Sequence, residues 1–215
     1  MNRYFYLLFF VYFNLTAFTS VFADSPAAAD DFGRIILNTY LPPQLTMPAD
    51  ARALLETKLD QIATAYGMGG SVVNPRFIIT AKLNVIKKDV VPGPPQMISQ
   101  VVELTVFTGD GLDNVLFSSG VVSLKGAGVN ENKSLVDAIR KLNPQAKVVQ
   151  DCVNQGKEKI VAYYSANCDF LLREAMMLSA KGEYDAAMAK ISVVPQVSGE
   201  CYRHCLDTQL FIFQQ

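Results

Sequence analysis

Between Phe77 and Leu124 apolar residues keep returning at every second position, and that period of two constrains the fold more than any other feature. Phe77, Ile79, Ala81, Leu83 and Val85 alternate with Thr80, Lys82 and Asn84 in the first run. Ile98, Val102, Leu104 and Val106 alternate with Ser99, Glu103 and Thr105 in the second, and Leu116, Val122 and Leu124 mark one face of a third. Successive side chains of a strand point to opposite faces, so three such runs make a sheet with one buried and one wet face, as antiparallel pairing allows. Pro92-Gly93-Pro94-Pro95 and Gly109-Asp110-Gly111 supply the two reversals. The segment from Val90 to Pro95 could extend an edge for a partner, but a hairpin loop stiffened by prolines is the simpler reading. Gly120 inside the third run predicts a bulge or a close approach.

Around this core the pattern predicts further elements. A β-rich run over residues 34–41 stops at Pro42-Pro43 and reads as a first strand. Pro48 suits a first helical turn, and Leu54, Leu55, Leu59, Ile62, Ala63 and Tyr66 then follow helical spacing up to Gly67. The Gly67-Met68-Gly69-Gly70-Ser71 loop lies between helix and strand, the reverse of a phosphate loop, and lacks the Lys-Ser/Thr ending; it reads as a turn. Asn130 is a natural cap for a helix carrying Leu135, Val136, Ile139 and Leu142, which ends at Asn143-Pro144. The expected fold is therefore α+β: an antiparallel-rich four-stranded sheet with two helices on one face, over residues 32–143. Residues 144–215 read as an all-helical segment, its first helix either continuous or interrupted at Gly156.

The amino terminus looks like a secretion signal. Arg3 precedes an apolar run from Tyr4 to Phe13, and Val21-Phe22-Ala23 fits a signal-peptidase site with cleavage after Ala23. Asn14, Thr16, Thr19 and Ser20 dilute the second half of the segment, which argues against a spanning helix of about 20 apolar residues. Residues 24–31 are rich in Ala, Asp and Pro and read as a flexible leader. No Cys follows the cleavage site, so lipid attachment is not indicated, and the expected location is periplasmic or extracellular. The membrane is then met only through the signal, before cleavage. Net charge is −1 over 215 residues, with no basic run, which disfavours nucleic acid as a partner.

All four cysteines, Cys152, Cys168, Cys201 and Cys205, lie in the last third. Outside the cytosol an even number points to disulfides. Cys201 and Cys205 stand one helical turn apart with nearly parallel Cβ vectors, so each is expected to pair with a cysteine of a neighbouring helix, Cys168 or Cys152. A zinc site built from Cys201, Cys205 and Cys168, and free or mixed thiols, are the alternatives. His204, the only histidine, points about 100° away from Cys205 on a helix, so it adds little to a metal set. No Cys-x-x-Cys is present, which argues against a thiol oxidoreductase. A single histidine also removes most nucleophile–base schemes, and the carboxylates form no local pair suited to acid–base work. No catalytic residue, metal or cofactor is expected. Asn132-Lys133-Ser134 matches a glycosylation acceptor, here more simply a chance match.

Two resemblances add to this reading. The run Leu171…Ala175…Leu178…Gly182-Glu183-Tyr184-Asp185-Ala186-Ala187-Met188…Ile191 resembles a tetratricopeptide repeat, an ordinary helical hairpin being the equal alternative. The resemblance implies Gly182 at the turn, Ala175 and Ala187 at the helix crossing, Tyr184 packed across the pair, and peptide or domain binding rather than chemistry. Phe77-Ile78-Ile79-Thr80-Ala81, the Gly-Asp-Gly hairpin and Lys125-Gly126-Ala127-Gly128…Lys133-Ser134…Ala138 resemble the small α+β domain of bacterial envelope proteins of the CsgG/TolB-N-like group. The segments Met68–Phe77 and Glu200–Cys205 are also similar to those of uncharacterised secreted proteins of gut bacteria and their phages. Together these imply a non-enzymatic secreted or periplasmic module engaging a protein partner in the cell envelope. The alternatives are a structural component of an extracellular or phage-associated assembly, and a hydrolase whose residues converge only in three dimensions.

Overall fold

The computed structural model describes residues 35–70 and 76–215. The expected signal with its cleavage at Ala23, the leader over residues 24–31, Arg34 and Ser71 lie outside the described residues. In chain order the elements are β1 (Asn38–Thr39), α1 (Ala49–Ala65), β2 (Phe77–Val91), β3 (Met97–Asp110), β4 (Val115–Gly128), α2 (Glu131–Arg140), α3 (Lys147–Ala166), α4 (Cys168–Ala180), α5 (Tyr184–Ser192) and α6 (Glu200–Phe213). A 3-10 turn, Gln196–Ser198, separates the last two helices.

The three alternating runs form β2, β3 and β4, paired antiparallel in the order β1-β2-β3-β4. β1 runs parallel to β2, so the α+β fold has a mixed sheet in which antiparallel pairing dominates. The first strand is far shorter than residues 34–41. Ile35, Ile36 and Leu37 are buried, and the Leu37 N–H donates to the Met68 carbonyl instead of joining a strand ladder. The second reversal comes slightly later than the glycines suggest. Gly109 and Asp110 still pair with β4, while the Asp110 carboxylate accepts from the N–H groups of Leu112 and Asp113 and Asn114 takes the left-handed conformation (φ 55°).

Phe77, Ile79 and Ala81 of β2 and Val102, Leu104 and Val106 of β3 form the buried face. On β4 one expectation fails: Leu116 is 60% exposed, and its neighbour Phe117 is buried instead. The register shifts between Thr108↔Ser118 and Gly109↔Leu116, leaving Phe117 as an extra residue. A bulge of one residue reverses which side chains face the core. Phe117 then meets the rings of Phe77 (6.4 Å) and Tyr163 (5.9 Å).

α1 packs against α2, β1 and β2, and α2 against β3 and β4. Asn130 caps α2 as expected, its side chain accepting from the Lys133 N–H at 2.9 Å. α3 joins them on the sheet through β3 and β4, so the first helix after Pro144 belongs to the sheet layer. It runs unbroken through Gly156, where a side chain would collide with Thr108 Oγ1 and lie 3.1 Å from Ser118 Oγ. Gly120 permits the same approach from below, since a Cβ there would stand 2.9 Å from the Val148 carbonyl. Thr108 donates to Ser118 (2.6 Å), and Ser118 donates to the Cys152 carbonyl (2.6 Å), which pins α3 to the strands. α4 and α5 form a hairpin turning at Gly182 (φ 79°), with Ala175 and Ala187 fully buried, and α6 packs on both. Tyr184 stays 43% exposed and does not fill the place the repeat pattern implies for it.

Candidate functional site

With α2 and α3 stacked on one face, the opposite face of β2, β3 and β4 carries no helix among the described residues. The alternation leaves Lys82, Asn84, Glu103, Thr105 and Ser123 there, in keeping with a wet surface. At the end nearest the β3–β4 turn, however, the pattern breaks: Ile78 and Phe107 occupy outward positions. The bulge adds Leu116 to them, and Tyr40, just past β1, stands alongside at 48% exposure.

These residues form an open groove of about 520 Å³, with Ile78, Thr80 and Phe107 among its lining residues and Tyr40, Leu112 and Leu116 its exposed apolar ones. Two polar atoms of its lining are buried without a hydrogen-bond partner, Asn38 Nδ2 and Thr80 Oγ1. A buried polar group without a partner costs about 1–3 kcal/mol, and both atoms are closed off from the open groove, so an occupant meets them only if the lining shifts. The one carboxylate of the lining, Asp110, is already engaged. Arg76 Nε donates to Asp110 Oδ2 at 2.6 Å and its NH2 group reaches Asp113, while its guanidinium carbon lies 5.9 Å from the centre of the Tyr164 ring. The groove is therefore largely apolar, with its single lining carboxylate already paired.

Elsewhere the chemistry-bearing residues are kept apart. His204 is exposed on α6, one residue from Cys205, whose thiol is buried. Tyr164 is fully buried, and burial holds its hydroxyl well above the usual tyrosine range. The four cysteines do not form two bridges. Cys168 and Cys201 are joined, with Cα atoms 5.6 Å apart, whereas Cys152 and Cys205 are free and buried. Cys152 cannot reach Cys205 because α3 places it against the sheet, where its sulfur lies 3.3 Å from Ser118 Oγ and donates to the Val106 carbonyl. Burial, only partly offset by Ser118, raises its pKa. Of the cysteines anticipated as staples, one pair is stapled, one thiol packs at the sheet and the last lies beside the bridge.

The groove residues are the ones missed at the level of sequence. Ile78 and Phe107 are apolar at positions the alternation reserves for polar side chains, and that mismatch is the signal that marks them. Leu116 carries no such signal, because its outward direction depends on the bulge.

No helix of the described residues is long and apolar enough to cross a membrane. No family model matches the chain, and no curated protein matches it. Among solved structures, a minor lipoprotein from Acinetobacter baumannii is 16% identical, covers 58% of this chain and 96% of its own, and superposes with a TM-score of 0.37. A Caulobacter crescentus CB15 chain described as a lipoprotein is 9% identical, covers 57% of this chain and 86% of its own, and gives 0.29. At these scores the likeness assigns neither a fold nor a role, and the functional reading rests on the groove.

Proposed function

We propose that this chain is an exported, non-enzymatic binding or assembly module that engages a protein partner of the cell envelope, and that the groove on the bare sheet face receives an uncharged extended segment of that partner. The observation that carries this reading is the cluster of exposed apolar side chains (Tyr40, Leu112, Leu116) in one groove whose single lining carboxylate, Asp110, is already paired. Clustered exposed apolar side chains are a general mark of recognition sites. The export signal and the resemblance to envelope α+β domains support the compartment.

A photo-crosslinking amino acid at Leu116 or Leu112, expressed in an exporting host, is expected to give a discrete protein adduct. The same probe at Leu210 on α6, equally exposed at 63%, is expected to give none. Phe107→Glu places a charge at the groove and should abolish the Leu116 adduct. Equal labelling at all three positions, or an adduct that survives Phe107→Glu, overturns the reading.

A further inference from the structure

Cys201 and Cys205 lie one turn apart on the buried side of α6, facing the first residue of α4, Cys168. The three sulfur atoms all lie within 4.8 Å of one another, although only Cys168 and Cys201 are bonded. A buried free thiol held beside a disulfide has an effective concentration that no external thiol matches. Exchange proceeds by attack of a thiolate on one disulfide sulfur, and geometry decides which sulfur is attacked.

We propose that Cys168, Cys201 and Cys205 form an internal thiol–disulfide exchange site in which Cys205 moves the bridge from Cys168–Cys201 to Cys168–Cys205. Cys205 gives its proton to water and its thiolate attacks Cys168 Sγ. The new sulfur–sulfur bond forms as the Cys168–Cys201 bond breaks, and Cys201 leaves as a thiolate that takes up a proton. One disulfide and one thiol enter and leave, so no oxidant or reductant is required. Attack on Cys201 instead would bridge two residues of one helical turn, whose Cβ vectors run nearly parallel, so exchange is directed to Cys168. Cys152 takes no part, because it is held at the sheet by Ser118 and Val106. The consequence is mechanical. The start of α4 can be tied to either of two points on α6 about 6 Å apart along its axis, at about 1.5 Å per residue.

The test uses the full exported chain, incubated without added thiol or oxidant at alkaline pH, where the buried Cys205 thiol begins to ionise, then quenched in acid and mapped by non-reducing peptide mass spectrometry. The wild type is expected to yield both Cys168–Cys201 and Cys168–Cys205 linked peptides, while its free-thiol count stays at the two of the starting structure. Cys201→Ser, whose thiols are oxidised in the oxidising compartment of the exporting host before purification, is expected to carry the Cys168–Cys205 bridge and leave Cys152 as the one free thiol. Cys205→Ser, the control, should show the Cys168–Cys201 bridge alone. The proposal is overturned if the wild type never yields the second linked peptide, if Cys201→Ser keeps three free thiols, or if Cys152 appears in any bridge.

Discussion

Gly126→Ala offers the sharpest test of how the helices are seated on the sheet. Gly126 is buried in β4 directly beneath α2, and a Cβ built there would stand 2.6 Å from the Ala138 N–H nitrogen and closer still to the Ser134 carbonyl oxygen. Both obstacles are backbone atoms, so no rotamer change relieves the clash. α2 must lift by roughly 1.5 Å to restore van der Waals distance, which thins its contacts at a range where dispersion falls steeply. Ser134, Leu135, Ala138 and Ile139, the buried residues of α2, would all lose packing. Overpacking of this kind costs about 1–3 kcal/mol. In a domain of this size each kcal/mol lowers the melting temperature by about 2–4 °C. A fall of roughly 2–12 °C follows, readable by calorimetry or by circular dichroism. Lys125→Ala, one residue away and exposed, should change the melting temperature by no more than about 2 °C. If Gly126→Ala melts within that same margin of the parent, α2 does not rest on β4 at this distance and the packing argument fails.

The remaining predictions concern buried charge. Arg76→Met leaves the fully buried Asp110 side chain without its cation and should cost about 3 kcal/mol in a urea titration, with Asp110→Asn in the same chain recovering part of that loss; independent, additive costs would show that the pair is not coupled. Alkaline pH should destabilise the fold because burial raises Cys205 to about 11 and lifts Tyr164 as well, both above their unfolded values. The unfolded chain releases the Cys205 proton near pH 9 while the folded chain keeps it, so this stability is complete below about pH 9 and is lost as pH rises toward 11. At about 1.4 kcal/mol per pH unit the thiol accounts for about 2–3 kcal/mol. Cys205→Ser should flatten the dependence of the urea midpoint over that interval, and an equally steep curve in the variant would refute the assignment.

What the sequence determined by itself is the local grammar of the chain. Alternation marked β2, β3 and β4, helical spacing after Pro48 marked α1, and Asn130 marked the start of α2 through a cap that needs only three residues to form. These signals are legible because period, capping and turn chemistry depend on near neighbours. Tertiary structure decided everything that depends on which surfaces meet. β1 is only two residues long because its neighbours find burial elsewhere, and Gly156 lies inside α3 where Thr108 and Ser118, 48 and 38 positions away, come too close for a side chain. The bulge turned Leu116 outward and Phe117 inward, a reversal that one extra residue imposes and that no hydrophobic pattern announces. The same holds for the two candidate sites. Tyr40, Ile78, Phe107 and Leu116 converge in a groove only when four strands lie side by side. Four cysteines in the last third suggested two staples, but α3 took Cys152 to the sheet and left Cys205 beside the bridge. Pairing of distant residues depends on helix placement, and that is settled by the packing of the whole core rather than by the spacing of its parts.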